Sequence, residues 1–234
     1  MARSAAEDAR RRDVRGGAVG VDSADQVGPL GQALTAESAF WRRDTLVESM
    51  DAARKAPTLD DLDALPRDVK GEIIEGVLYT MTRPRGPHQR TIRSVGSRIG
   101  DPFDDGKGGP GGWWILPEPG IELPDTPEIA PDLAGWRRER LAALPENEPI
   151  RTVPDWVCEI LSPTTRRHDL LIKKPYYARV GVPHHWLLDR AARTLSAYRL
   201  ESGRWLELGV HGDEHEARIE PFDAVPLDVS RFWA

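Results

Sequence analysis

Glu159 stands inside Trp156-Val157-Cys158-Glu159-Ile160-Leu161, an apolar run of the kind that forms a strand buried on both faces. A bare carboxylate in such a place is costly, and three remedies exist: a metal ion, a Lys or Arg partner, or protonation. Pro131-Asp132 supplies a second carboxylate and Lys173 an ammonium group. An Asp, a Glu and a Lys gathered by strand and helix pairing form the minimum set for magnesium-assisted phosphodiester hydrolysis, where carboxylates hold the ion and the ammonium orients water.

Spacing decides which carboxylates can cooperate. Asp155 shares Glu159's face of the strand but lies four residues away, roughly 13 Å along it. Two ligands of one magnesium each sit about 2.1 Å from the ion, so Asp155 belongs to the strand entrance. Asp132 lies on another strand and can come level with Glu159 by lateral pairing, about 4.8 Å per strand. A strand-end turn after Pro131 is the plainer reading of Asp132 alone. Asp169, Lys173 and Tyr177 follow one another at four-residue spacing and share a helix face. Lys173 therefore either reaches the site or forms a surface pair with Asp169, and Lys174 is its rival. His184 and His185 are adjacent on a strand and face opposite ways, which argues against a shared metal. His88, after a Gly-Pro loop, suits a substrate contact or an exposed cap equally. Arg137, Arg138 and Arg140 form the strongest basic patch, with a solvated face as the default.

The chain has 234 residues, 39% hydrophobic and 30% charged, enough for one sizeable domain plus an extension. It contains no apolar run of the roughly 18 residues needed to span a membrane, and no signal-like stretch at its start, so a cytoplasmic location is expected. One cysteine, Cys158, excludes an internal disulfide and a multi-cysteine zinc site. The net charge of -6 opposes a dedicated nucleic-acid binder, so any DNA contact must come from a local patch.

Residues 1–56 lack apolar periodicity and are expected to be a disordered N-terminal extension, with a weak helical pattern over 35–53. Residues 57–234 form the domain. There, Thr58 caps a short helix, 72–79 form a hairpin turning at Glu75-Gly76, and a helix starts near His88. A Gly/Asp/Pro loop spans 101–112. Strands follow at 113–116 and 120–123, then one over 129–136 carrying Asp132. A charged excursion with a turn of helix covers 137–150, and 155–161 form the central strand. A helix over 167–180 stops at Gly181, and a strand at 185–188 pairs back with 194–199. The segments at 204–208 and 225–227 add edge strands. The class is α/β or α+β, with a mixed central sheet flanked by few helices.

The segments GEIIEGVLYTM (71–81), GPHQR (86–90), APDLAGWRRERL (130–141) and PDWVCEILSPTTRRHDLLIKKPYYARVGVPHHWLLDRAARTLSAYRL (154–200) resemble the Uma-two family of restriction-endonuclease-like nucleases. The likeness covers about residues 58–210. It is carried by Glu159-x-Leu161-Ser162-Pro163-x-Thr165, then Asp169-x-x-x-Lys173, Tyr177-Ala178, Gly181-Val182-Pro183 and Trp186-Leu187-x-Asp189. The resemblance implies the PD-(D/E)xK nuclease fold, with Asp132 and Glu159 as ligands of Mg²⁺ or Mn²⁺. Leu161 stands where the motif places its lysine, and the resemblance points to Lys173, on the following helix, as the replacement. Glu72 and His88 match acidic and histidine positions that recur in the family and line the same site.

The expected function is a Mg²⁺-dependent endonuclease hydrolysing DNA, with Asp132 and Glu159 on the metal and Lys173 positioning water. By fold analogy it forms a homodimer. The alternative is a non-catalytic module of the same fold that binds nucleic acid or protein, which the negative charge and Leu161 favour.

Overall fold

The computed structural model describes residues 56–83 and 86–233, all within a compact unit spanning Ala53–Ala234. The expectations for the N-terminal extension, including the helical pattern at 35–53, lie outside the described residues.

Helix α1 (Leu59–Asp63) begins where expected, with the Thr58 N–H donating to the Asp61 carboxylate at 2.7 Å. Strands β1 (Val69–Ile74) and β2 (Val77–Thr82) form a tight hairpin through Glu75-Gly76, both at positive φ (51° and 73°) as a two-residue turn of this hand requires. Helix α2 (Gly86–Ile99) runs on into a π-helical turn, Gly100–Asp104, so the loop expected from 101 begins later. Strands β3 (Trp113–Pro117), β4 (Ile121–Leu123), β5 (Thr126–Ile129), β6 (Leu133–Arg137) and β7 (Trp156–Leu161) follow.

The single strand expected over 129–136 is divided. Pro131 has no N–H to donate to a ladder, and at Ala130-Pro131-Asp132 the chain passes from one sheet to the other. The excursion at 137–150 contains a turn but no helix.

After β7 come α3 (Arg166–His168), a π-helical turn Asp169–Lys173, and α4 (Lys174–Val180). The expected continuous α-helix is therefore widened at its centre. The Lys174 N–H reaches back five residues to the Asp169 carbonyl. Pro175, with no N–H to offer its own acceptor four residues back, makes the wider turn less costly. Gly181 closes α4 at φ 84°. Strands β8 (His184–Asp189), β9 (Thr194–Glu201) and β10 (Arg204–His211) complete the sheet, and Leu227 forms only an isolated bridge with Ala217.

Two sheets result. One has the order β10-β9-β8-β7-β6-β3, antiparallel except for the β7–β8 pair that the helical crossover joins; the other, β2-β1-β5-β4, is antiparallel. Alternation along β7 sorts its side chains. Cys158 and Ile160 pack with α2 through Ile92, Val95 and Ile99, and with Trp186, Phe222 and Phe232. Val157 packs on the opposite side with Ala134, Trp136, Tyr176 and Tyr177, together with Ile74, Ile121 and Ile129 of the smaller sheet. Glu159 shares that second face, so it points toward the crossover helix.

Gly181→Ala forces a side chain into the left-handed region and is expected to lower stability by about 1–2 kcal/mol in urea denaturation. An unchanged midpoint would show that the turn relaxes freely.

Candidate active site

Register brings the two carboxylates level. β6 and β7 pair with Leu133 opposite Cys158 and Ala134 opposite Val157, so the next step outward sets Asp132 across from Glu159. The Asp132 N–H lies 3.4 Å from Glu159 Oε2. Asp132 sits at the bend just before β6, and its Oδ2 accepts the Ile160 N–H at 2.7 Å. Its Oδ1 is 2.9 Å from His88 Nε2, reaching in from the first turn of α2.

Lys173 projects from the π-helical turn into the same place. Its Nζ lies 2.7 Å from Glu159 Oε1, 3.1 Å from Glu72 Oε1 and 3.2 Å from the Ala130 carbonyl, which occupies all three of its donors. Tyr177 donates its hydroxyl to Glu159 Oε1 at 2.7 Å. Glu72, on β1, also accepts the Ala130 N–H at 3.0 Å and has His168 Nε2 at 2.9 Å from its other oxygen. Glu72, His88, Asp132, Glu159 and Lys173 are all buried. The five residues singled out in the sequence therefore form one connected cluster.

A cavity of about 20 Å³ opens among His88, Asp132, Glu159, Thr165, Asp169 and Lys173. That is room for roughly one water molecule or ion. Four buried carboxyl groups (Glu72, Asp132, Glu159, Asp169) face one buried ammonium, and the titration of Glu159 and Asp169 reflects the imbalance. Burial presses Glu159 above the ordinary carboxylate range, joined by Asp132 and Glu72 and opposed by Lys173. Burial and the charge of Glu159 push Asp169 up to about 8. Burial would also raise Glu72, but Lys173 and His168 outweigh it and bring it down to about 2. Lys173 stays charged, because Glu159, Glu72, Asp169 and Asp132 raise it further than burial lowers it.

Several choices left open by spacing are settled by position. Lys174 is half-buried with its Nζ over the Tyr198 ring at 3.4 Å, away from the carboxylates. Asp155 lies at the far end of β7, accepting from the Arg137 N–H at 2.9 Å and pairing with Arg140 at 2.6 Å. The arginine patch is largely committed: Arg138 pairs with Asp104 at 2.6 Å, and Arg137 covers the Trp113 ring. His185 is fully buried among Tyr177, Tyr198 and Trp205, with neither ring nitrogen hydrogen-bonded among the described residues, while His184 is half-buried.

Asp169 is the residue that sequence reasoning undervalued. Its i,i+4 relation to Lys173 looks like a surface pair, yet both side chains line the cavity. His168 and Lys70 were also missed. His168 holds Glu72, and Lys70 Nζ approaches the Ala130 carbonyl at 3.2 Å beside the cavity.

The donor set fits a small hard cation. Mg²⁺ is held through one or two carboxylates while keeping several waters. Each oxygen of Asp132 retains a lone pair beyond its one hydrogen bond, and Glu159 Oε2 has only the long contact from the Asp132 amide. Among the described residues no three His, Cys, Asp or Glu side chains are arranged as a complete metal centre by themselves, so water would supply the remaining ligands.

The mixed sheet, with paired carboxylates at the junction of its middle strands and a lysine on the crossover helix, defines a restriction-endonuclease-like core. The chain matches the Uma2 family, described as "putative restriction endonuclease", over residues 58–230 and belongs to it. A crystal structure titled as that of a "putative nuclease belonging to DUF820" from Anabaena variabilis shares the fold. Its identity is 24%, over 76% of this chain and 97% of that one, with a TM-score of 0.56. No curated protein matches the sequence. No helix among the described residues is long and apolar enough to cross a membrane.

The titrations have a signed consequence. Asp169 holds its proton more tightly folded than unfolded, so its contribution to stability is complete below 3.8 and is lost as pH rises toward about 8. Glu72 acts oppositely: its contribution is present above 4.5 and is lost as pH falls toward about 2. Asp169→Asn should flatten the pH dependence of urea stability between about 4 and 8. A slope identical to the parent's would contradict the placement of Asp169.

Proposed function

We propose that the domain, residues 57–234, is a divalent-metal-dependent nuclease that hydrolyses phosphodiester bonds in DNA. One observation carries this reading: Asp132 and Glu159 stand opposite each other around a cavity of about 20 Å³, with the ammonium of Lys173 at its wall. Asp132 and Glu159 would hold Mg²⁺ or Mn²⁺. Such an ion, when bound, lowers the pKa of its water and offsets charge on the phosphate.

The chain's own groups have separable tasks. Lys173 is held protonated by the surrounding carboxylates, so it serves as a hydrogen-bond donor and fixed positive charge rather than as a base. The donor now on Glu159 would orient the attacking water once that carboxylate holds the ion, and the ammonium's charge stabilises the negative charge that grows on the phosphate oxygens. Glu72 and the Ala130 carbonyl fix the ammonium in place. His88 orients Asp132, and Tyr177 holds one oxygen of Glu159, leaving the other directed to the cavity.

The non-catalytic reading has one observation in its favour. Lys173 already neutralises Glu159 and Glu72, so the cluster has an internal cation. Plasmid cleavage in Mg²⁺ and in Mn²⁺ separates the two. The nuclease reading expects the parent to nick or linearise plasmid, and Asp132→Ala and Glu159→Ala to lose at least about a hundredfold in rate, the scale of one electrostatic catalytic group. A parent inert in both metals against duplex and single strands would favour the binding module. Cleavage undiminished in Glu159→Ala would refute the assignment.

A further inference from the structure

The cavity between Asp132 and Glu159 admits an ion or a water, not a nucleotide, so a substrate strand has to lie across its mouth. Three larger hollows adjoin the cluster or flank it. One of about 450 Å³ between α2 and β3 is lined by Asp101, Asp104 and Asp105. One of about 640 Å³ beside α1 has Asp63, Glu118 and Glu128 in its wall together with Arg67, Lys70 and Arg83. The first sets three carboxylates against Arg93 and the second balances its charges, so neither offers a polyanion an unopposed cationic wall. The third, of about 300 Å³, shares Thr82, His88 and Thr165 with the cavity and has no carboxylate in its wall.

Its charged residues are Arg83 and Arg190. Arg83 donates its Nε to the Arg67 carbonyl at 2.7 Å, and Arg190 donates its Nε to the Thr91 hydroxyl at 3.0 Å. These bonds anchor each guanidinium by one edge. Neither arginine has a carboxylate partner among the described residues, whereas the neighbouring Arg166 pairs with Asp189. The loop after β7 supplies hydroxyls. Ser162 Oγ lies 3.1 Å from Thr164 Oγ1 and 2.9 Å from Thr165 Oγ1, and it accepts the Thr165 N–H at 3.1 Å.

Two anchored guanidinium groups with uncommitted Nη donors, facing a hydroxyl-rich loop, suit the tetrahedral oxygens of a phosphate. We infer that this groove is a phosphate subsite: Arg83 and Arg190, with Ser162 and Thr164, hold a backbone phosphate of the strand next to the one being cleaved. This rests on the nuclease reading and gives the acidic chain its local patch for DNA. His88, in the wall common to groove and cavity, couples the two by orienting Asp132.

The test uses the full chain and a short fluorescein-labelled DNA strand. Anisotropy is measured without metal, so that nothing is cleaved, over a series of salt concentrations. Arg83→Gln and Arg190→Gln should each weaken binding about tenfold and reduce the salt slope by about one, the signature of one lost phosphate contact. Arg204→Gln, an exposed arginine on the edge strand β10, should bind like the parent. Arg83 is exposed, so its replacement leaves the fold intact even if Arg190→Gln disturbs α2 through Thr91. In Mg²⁺ the same two variants should raise KM and leave kcat near the parent value.

Parental affinity and salt slope in both arginine variants would overturn the subsite, as would a parent that does not bind the strand. The two failures are distinct. Cleavage by the parent with binding unaltered in both variants removes the groove and keeps the nuclease. Weakened binding in both variants with no cleavage in either metal removes the nuclease and keeps a phosphate-binding groove.

Discussion

The structure turns on a buried charge imbalance. Four carboxyl groups are enclosed around one lysine, and enclosure of a lone charge costs several kcal/mol unless it is matched. Lys173 matches Glu159 and Glu72 with one contact each and places its third donor on the Ala130 carbonyl, and His88 sits against Asp132. What is left over shows in Asp169 and Glu159, both driven toward the protonated form by burial, with the charge of Glu159 adding to it at Asp169 and those of Asp132 and Glu72 at Glu159. A core built only for stability would carry apolar residues at these positions, since buried ion pairs rarely outperform them. The cluster is therefore a standing demand for positive charge, open to the outside through a cavity the size of an ion.

The fold meets that demand by convergence of elements distant in the chain. The β6–β7 register places Asp132 opposite Glu159, and the crossover from β7 to β8 returns a helix over the same end of the sheet. The π-helical turn within that helix lets Asp169, Lys173 and Tyr177 all face inward, consistent with the recurrence of such turns at functional sites. The smaller sheet adds Glu72 from β1, and α2 adds His88. No single element holds the site. A change in register or in helical phase at any of them would separate the charges.

Much of this was legible residue by residue. A carboxylate inside an apolar strand announces an internal partner, and Glu159 announced one. The hairpin at Glu75-Gly76, the Thr58 cap and the Gly181 stop follow from local chemistry and fall where expected. Other features depend on tertiary facts that local pattern does not carry. The split at Pro131 looks like one strand because the apolar character continues across it, while the two halves pair in different sheets. Asp169 and Lys173 have the spacing of a surface pair, and only packing against the sheet reveals them as cavity walls. Lys173 and Lys174 are indistinguishable in sequence; a rotation of one residue along the helix sends the first to the carboxylates and the second to Tyr198. The arginines at 137–140 form the densest basic run, yet they are engaged with Asp104, Asp155 and tryptophan rings. Arg83 and Arg190, over a hundred positions apart, line the groove beside the cavity and have no carboxylate partner among the described residues.

The central claim is that Asp132 and Glu159 together hold a divalent cation, and the most direct measurement is calorimetric titration of Mn²⁺ and Mg²⁺ into the parent, Asp132→Asn and Glu159→Gln proteins. The account predicts saturable uptake by the parent and its loss in both variants, with thermal unfolding confirming that each is folded. A folded parent that takes up neither metal, or variants that bind as the parent does, would contradict it.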